Sequence, residues 1–352
     1  MKLNLTDEQT MLAQSVARLV ADNSDRTGPN GGAEAHHDPD GWRQIAELGW
    51  LSAGVSESAG GFGGSREMAV VIEGAASTPL AGRLTPVFMA LNMLEESGGA
   101  PDLLAEIMAG QKLACGLLPE MASNLEVRRT GSDIRLSGRF PAVAMGDAAE
   151  VVVLALDDIT VLIDADADGI GKHGFRAMDG TTQVDLALSE MAVRPEMILA
   201  SGDPARTVQD RARLCHAATM TAECTGLCKS LFDATLTYVK QREQFGQPIG
   251  RFQALQHRLA DMFIALEEIR SLALATARAA EEGNAQSRPL SQAVTGSIDR
   301  ALHIAKEAIQ LHGGVGMTDD LPLGAGLRRI KMLQVMLGGG ETHRQTLLSA
   351  SG

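Results

Sequence analysis

From Pro204 onward the sequence reads as a series of long helices. Phe252, Leu255, Leu259, Met262, Phe263, Leu266, Ile269 and Leu272 recur at spacings of three and four, and they draw one apolar stripe along a helix predicted over Phe252–Glu282. Comparable helices are predicted over Val208–Val239 and Ser291–Leu311, and a fourth follows Pro322. Long helices joined by short connections bury their stripes only against one another. This part of the chain is therefore expected to be an antiparallel four-helix bundle.

The residues before it change character twice. Between Lys112 and Glu196 the pattern breaks into short Val/Ile-rich runs bounded by Asp and Gly: Leu113–Leu118, Leu125–Arg129, Ile134–Ser137, Val151–Leu156, Ile159–Ile163 and Val184–Leu188. Their spacing of roughly 8 to 12 residues predicts a β sandwich or barrel. No strand–helix alternation is present, which excludes a dinucleotide-binding doubly wound sheet. From Asp7 to about Gly110 the pattern is helical again. Thr6 and Gln9 form a capping signal, and Met11, Leu12, Val16, Leu19 and Val20 share one helix face. The polar stretch Asp22–Asp40 reads as a loop. Helices are predicted around Gly41–Gly49 and from Ser65, after the glycine-rich segment Glu57–Gly64. The expected class is α+β, with domains at 1–111, 112–200 and 201–352.

Charge and composition exclude several functions. With 31 Lys+Arg against 44 Asp+Glu in 352 residues, the net charge is -13. Such a surface repels phosphate backbones and anionic lipid, so neither nucleic acid nor membrane is an expected partner. Trp42, Trp50 and Tyr238 are the sole Trp and Tyr, too few for aromatic stacking platforms. Cys115, Cys215, Cys224 and Cys228 are too few for a disulfide framework. Cys224 and Cys228, one helical turn apart, sit among alanines and read as small core packers, so no metal site is expected. The N-terminus lacks an apolar signal-peptide core, and no apolar run approaches the roughly 20 residues of a membrane helix. A soluble, cytoplasmic chain is the expectation.

Two motifs carry chemistry. Gln241-Arg242-Glu243-Gln244-Phe245-Gly246-Gln247-Pro248-Ile249 puts Arg242 where a helix ends and the chain turns, and a guanidinium there offers a planar fork of donors to phosphate oxygens. Gln310-Leu311-His312-Gly313-Gly314-Val315-Gly316-Met317 places two glycines where backbone can approach a ligand closely, beside the Gln310 amide. Read locally, Arg242 caps a helix C-terminus and the glycines make a turn.

These motifs, with Gly49-Trp50-Leu51 leading into Gly60-Gly61-Phe62-Gly63-Gly64, resemble the acyl-CoA dehydrogenase family along essentially the whole chain. The resemblance implies N-terminal helices, a middle β domain and a C-terminal bundle that mediates tetramerisation. It implies FAD as cofactor and an acyl-CoA thioester as substrate, with electrons passed on to an electron-transfer acceptor. By the same resemblance Arg242, Gln244, Phe245, Gln310, Gly313 and Gly314 contact an FAD held mainly by a neighbouring subunit.

The chain also departs from the family. The carboxylate that takes the α-proton falls on Leu337 when the family's Arg-Asp pair is aligned on Arg328-Arg329. The alternative position on the first long C-terminal helix holds His216. Glu341, four residues beyond Leu337, is one candidate base, unless it caps a helix over Thr342–Leu348. His216 is another, able to act near neutral pH or to be a satisfied core histidine. The family's two flavin-contacting β segments become Leu118–Asn124 and Phe140–Asp147, without the tryptophan and most of the hydroxyls. Residues that hold a chain's own flavin ring are gone, while those that contact a neighbour's FAD remain. The pattern is most like the non-catalytic subunit of a heteromeric α2β2 acyl-CoA dehydrogenase of the type that shortens steroid side chains. A stand-alone homotetramer using Glu341 is an alternative, and so is a flavin-free scaffold with this fold.

Overall fold

The computed structural model describes residues 5–22, 39–131, 133–283, 287–318 and 321–336. Among the described residues the N-terminal region holds the helices α1 (Asp7–Asp22), α2 (Pro39–Glu47), α3 (Ser65–Ala75), α4 (Leu80–Ser97) and α5 (Pro101–Met108). The capping box forms as its spacing requires. The Thr6 amide donates to Gln9 Oε1 at 3.0 Å and the Gln9 amide to Thr6 Oγ1 at 3.2 Å. Gln9 then donates through Nε2 to Glu67 of α3, fastening α1 to its neighbour. Helix α4 is the central element, with Leu84, Val87, Phe88, Met89, Leu91, Met93 and Leu94 all buried.

Eight strands follow: β1 (Ala114–Leu117), β2 (Ser123–Thr130), β3 (Asp133–Val143), β4 (Val151–Ala155), β5 (Ile159–Asp164), β6 (Ile170–Arg176), β7 (Thr182–Val193) and β8 (Ile198–Ser201). They make two four-stranded sheets, ordered β1-β4-β5-β8 and β2-β3-β7-β6. Among the described residues only the β1–β4 pair is parallel. At Gly116 an added Cβ would lie 2.6 Å from the Ala90 amide nitrogen, so glycine lets β1 lie directly on α4. The six sequence-predicted runs correspond to β1–β5 and β7. β6 and β8 carry no predicted run: β6 is an edge strand exposed at every position beyond Ile170, and β8, an edge of the other sheet, offers only the short run Ile198-Leu199-Ala200.

The bundle is α6 (Asp203–Gln241), α7 (Gln253–Glu282), α8 (Ser287–His312) and α9 (Leu323–Met336), with a short hairpin, β9 (Glu243–Gln244) and β10 (Gln247–Pro248), between α6 and α7. Two apolar cores result. The N-terminal helices, both sheets and the first turns of α6 share one, and the four long helices share the other. Helix α6 crosses between them and is buried almost all round from Ala217 to Cys228, which explains its small residues. All four cysteines are buried, and desolvation pushes the Cys115 and Cys215 thiols up to about 12. No described helix is long and apolar enough to cross a membrane.

Candidate functional site

Helix α6 ends at Tyr238–Gln241, and the chain leaves it at Arg242 in an extended conformation. The Arg242 amide donates to Tyr238 O at 2.8 Å, and the Arg242 carbonyl accepts from the Ile249 amide at 2.8 Å. Those two bonds close a hairpin in which Gln244 faces Gln247 and the turn is made by Phe245 (φ 54°) and Gly246 (φ 78°). Arg242, Gln244 and Phe245 all point outward. Phe245 is 90% exposed, and its ring stands edge-on to Phe252 with centroids 6.0 Å apart.

Helix α8 ends nearby at His312. Gly313 turns the chain with φ 64°, and Gln310, Gly313 and Gly314 are exposed. A Cβ added at Gly313 or Gly314 would meet nothing within 4 Å, so open space lies in front of this backbone. Gly313 needs its left-handed φ, whereas nothing within the chain requires glycine at 314. The two motifs are brought to one end of the bundle by a ring contact. Tyr238 stacks on His312 at 4.2 Å, and the Tyr238 hydroxyl donates to the His312 carbonyl at 3.3 Å. An outward guanidinium, two amides and an open glycine turn form a donor set suited to phosphate and heterocycle edges.

His216 lies elsewhere. It precedes Arg242 by 242 − 216 = 26 residues on one continuous helix, roughly 39 Å at 1.5 Å per residue. It is half-buried, and one turn before it Arg213 pairs with both carboxylate oxygens of Glu120 at 2.8 and 3.2 Å. The segment Leu118–Asn124 therefore reaches α6 through an ion pair made from the tight helical turn Pro119–Met121. Leu337 and Glu341 lie outside the described residues.

On β3, Phe140 is buried in the core, 1% exposed. Two residues on, Ala142 adopts φ 56°, and its amide donates to Asp185 Oδ1 at 3.0 Å while Arg139 pairs with the same carboxylate. Burial acts to raise the Asp185 pKa, but the Ala142 amide and Arg139 outweigh it and hold the group below the usual range. Sequence reading missed Asp185, which is an ordinary strand residue until the fold sets it opposite this turn. A buried ion cluster of Arg329, Glu223 and Asp179 was missed too. Asp179 reads locally as a turn residue between strands.

Both ends of the chain match known sequence families. The family model described as acyl-CoA dehydrogenase, N-terminal domain, matches residues 6–98, and that of the acyl-CoA dehydrogenase C-terminal domain matches residues 207–351. The chain belongs to the acyl-CoA dehydrogenase family. FadE34 of Mycobacterium tuberculosis, an acyl-CoA dehydrogenase, is 28% identical over 372 residues, covering 100% of this chain and 49% of FadE34. The chain thus spans about half the length of that curated relative. Among solved structures, the Tcur3481-Tcur3483 steroid ACAD superposes with a TM-score of 0.86 at 26% identity over 97% of both chains. The ChsE4-ChsE5 complex of Mycobacterium tuberculosis has the same fold, with a TM-score of 0.84 at 22% identity over 99% of this chain and 98% of that one. FAD is the cofactor of the acyl-CoA dehydrogenase family to which this fold belongs.

Proposed function

We propose that this chain is the subunit of an FAD-dependent acyl-CoA dehydrogenase that completes a sister subunit's cofactor site, the pair desaturating an acyl-CoA thioester between its α and β carbons. One asymmetry carries this reading. The end bearing Arg242, Gln244, Phe245, Gln310, Gly313 and Gly314 is exposed and open, as a contact for an FAD outside this chain must be. The strand that the family resemblance sets against a chain's own flavin ring has its Ala142 amide occupied by Asp185 and Phe140 turned into the core. The residues present therefore fit one half of an FAD site and not the other.

In that role the Arg242 fork holds the phosphate portion, and Gln310 offers its amide to a polar edge. Gly313 and Gly314 keep side chains out of the approach, and Phe245 covers the cofactor from water. FAD, when bound, supplies the acceptor for the hydride. The carboxylate that takes the α-proton belongs to the sister chain in this scheme, which agrees with a half-buried histidine at position 216. Two likenesses support a paired assembly: the Tcur3481-Tcur3483 protein is named as a pair, and FadE34 is about twice the length of this chain. The steroid named for the former supports a bulky polycyclic CoA thioester as substrate.

The deciding experiment is the visible spectrum of the purified chain, alone and after co-expression with a sister chain bearing the catalytic glutamate. Protein concentration should come from amino-acid analysis, because Trp and Tyr are so few. The expected result is no flavin alone and one FAD per pair. One FAD per chain in the isolated protein overturns the reading and turns attention to Glu341 as base.

A further inference from the structure

The two halves of the cofactor-contacting end come from segments far apart in sequence, and one side chain touches both. Tyr238 sits in the last turn of α6, and its backbone carbonyl accepts the Arg242 amide at 2.8 Å, fixing where the chain leaves the helix. Its ring lies on His312 with an interplanar angle of 25°, and its hydroxyl donates to the His312 carbonyl. That carbonyl belongs to the last residue of α8, which is also the N-cap of the tight helical turn Gly313–Met317. His312 is fixed in turn, because its Nδ1–H donates to the Ala308 carbonyl at 2.8 Å. The next residue is Gly313, at the left-handed φ that starts the open glycine turn. Among the described residues, no side-chain hydrogen bond runs directly between the hairpin at 243–248 and the turn at 313–317.

We infer that Tyr238 is a positioning residue: acting through His312, it holds the Arg242 hairpin and the Gly313-Gly314 turn at the separation that a single FAD requires. This inference rests on the proposed contribution of that end to an FAD site. It concerns geometry, since neither ring needs to touch the cofactor.

The test uses the FAD-stripped complex with the sister chain, titrated with FAD, alongside its thermal midpoint without FAD. Tyr238→Phe keeps the stacked ring and loses one hydrogen bond, so FAD binding should weaken about threefold. Tyr238→Leu loses the ring pair as well and should weaken it about tenfold or more. His312→Phe keeps the stack and the backbone carbonyl but loses the bond to Ala308, so it should weaken FAD binding about threefold, as Tyr238→Phe does, and less than Tyr238→Leu. Tyr238 is the only tyrosine in the chain, so its ring signal in a complex with an unlabelled sister chain should shift on FAD addition. A merely structural role would lower the thermal midpoint and leave FAD affinity and the ring signal unchanged, which overturns the inference. Arg242→Ala separates the two levels. Loss of FAD affinity in that variant, with none in the Tyr238 variants, overturns positioning alone. No loss in Arg242→Ala, or no FAD bound by the wild-type complex, overturns the cofactor reading with it.

Discussion

Arg329 meets both carboxylate oxygens of Glu223, with Nε 2.5 Å from Oε1 and Nη2 3.1 Å from Oε2. Its remaining nitrogen, Nη1, lies 3.0 Å from Asp179 Oδ2. Arg329 stands on α9, Glu223 on α6, and Asp179 in the turn between β6 and β7. Their side chains are 12%, 1% and 2% exposed, so the cluster is largely withdrawn from water. Gly82 of α4 presses on the same guanidinium, since a Cβ there would lie 2.4 Å from Nη2. One arginine thus ties together the N-terminal helices, a sheet and the bundle. Burial works against its charge, but the two carboxylates more than offset this and hold the guanidinium above its ordinary range.

Removing that arginine strands two buried carboxylates. Arg329→Leu should lower stability by about 3–5 kcal/mol in chemical denaturation. Arg329→Lys should cost less but not nothing, because an ammonium cannot serve Glu223 bidentately and Asp179 at once. Gly82→Ala should cost about 1–3 kcal/mol, since the pinned guanidinium has nowhere to move. An Arg329→Leu variant as stable as wild type would show that the cluster does not hold the three regions together.

What the sequence made legible is what local rules control. The Thr6–Gln9 box, the start of α3 at Ser65 and the stripe on α7 follow from residues within a few positions of one another. The two motifs at Arg242 and Gly313 were legible for the same reason. The Arg329 cluster was not, because its partners lie 106 and 150 residues away and each looks ordinary in place. Strand β6 was hidden because Gly171, Gly174 and the three polar positions Lys172, His173 and Arg176 give it no apolar alternation; its ladder to β7 makes it a strand. Ala142 gives no sign of a left-handed φ, a conformation that alanine adopts only when its surroundings impose it. Tyr238 and His312 are each plausible helix residues, and only the packing of α6 on α8 reveals them as a pair.

Asp185 accepts the amide of Ala142 in its left-handed conformation, and the worth of that contact is testable. Asp185→Ala should destabilise by about 1–2 kcal/mol, because the Ala142 amide loses its acceptor. Asp185→Asn keeps an oxygen for that amide and should cost less. Ala142→Gly relieves the left-handed φ and should raise stability by roughly 1 kcal/mol. The wild-type aspartate has its pKa lowered on folding, so its contribution is complete above the ordinary value of 3.8 and is lost as pH falls through the lower folded value. Acid unfolding of wild type and Asp185→Asn should therefore diverge above pH 3.8 and converge in stronger acid.

His312 should make stability depend on pH in a window just below neutrality. Desolvation lowers its pKa from 6.5, and the bond from Nδ1 to Ala308 recovers part of the shift. The unfolded chain therefore takes up the proton first as pH falls. Its contribution is complete above 6.5 and declines as pH drops through the depressed folded value. Glu73, whose pKa burial raises from 4.5, acts in the opposite sense but is common to wild type and variant. Thermal midpoints measured between pH 7 and pH 5 should fall more in wild type than in His312→Phe. Parallel curves would show that His312 takes up its proton equally in the folded and unfolded states.

Two glycines on the bundle should respond in opposite ways to the same substitution. Gly226 lies where α3 crosses α6, and a Cβ there would stand 2.1 Å from the Glu73 carbonyl oxygen and 2.5 Å from Ala76 Cβ. Backbone cannot yield as a side chain can. Gly226→Ala should therefore destabilise by about 1–3 kcal/mol or prevent folding, even though alanine is the better helix former. Gly314 faces open space at an ordinary φ, so Gly314→Ala should leave the thermal midpoint unchanged. If an FAD approaches that backbone in the assembled pair, the added methyl group should weaken FAD retention by about tenfold. Unchanged stability with unchanged FAD retention in Gly314→Ala would mean that nothing comes close to this turn, and the contact would then have to be sought at Arg242 alone.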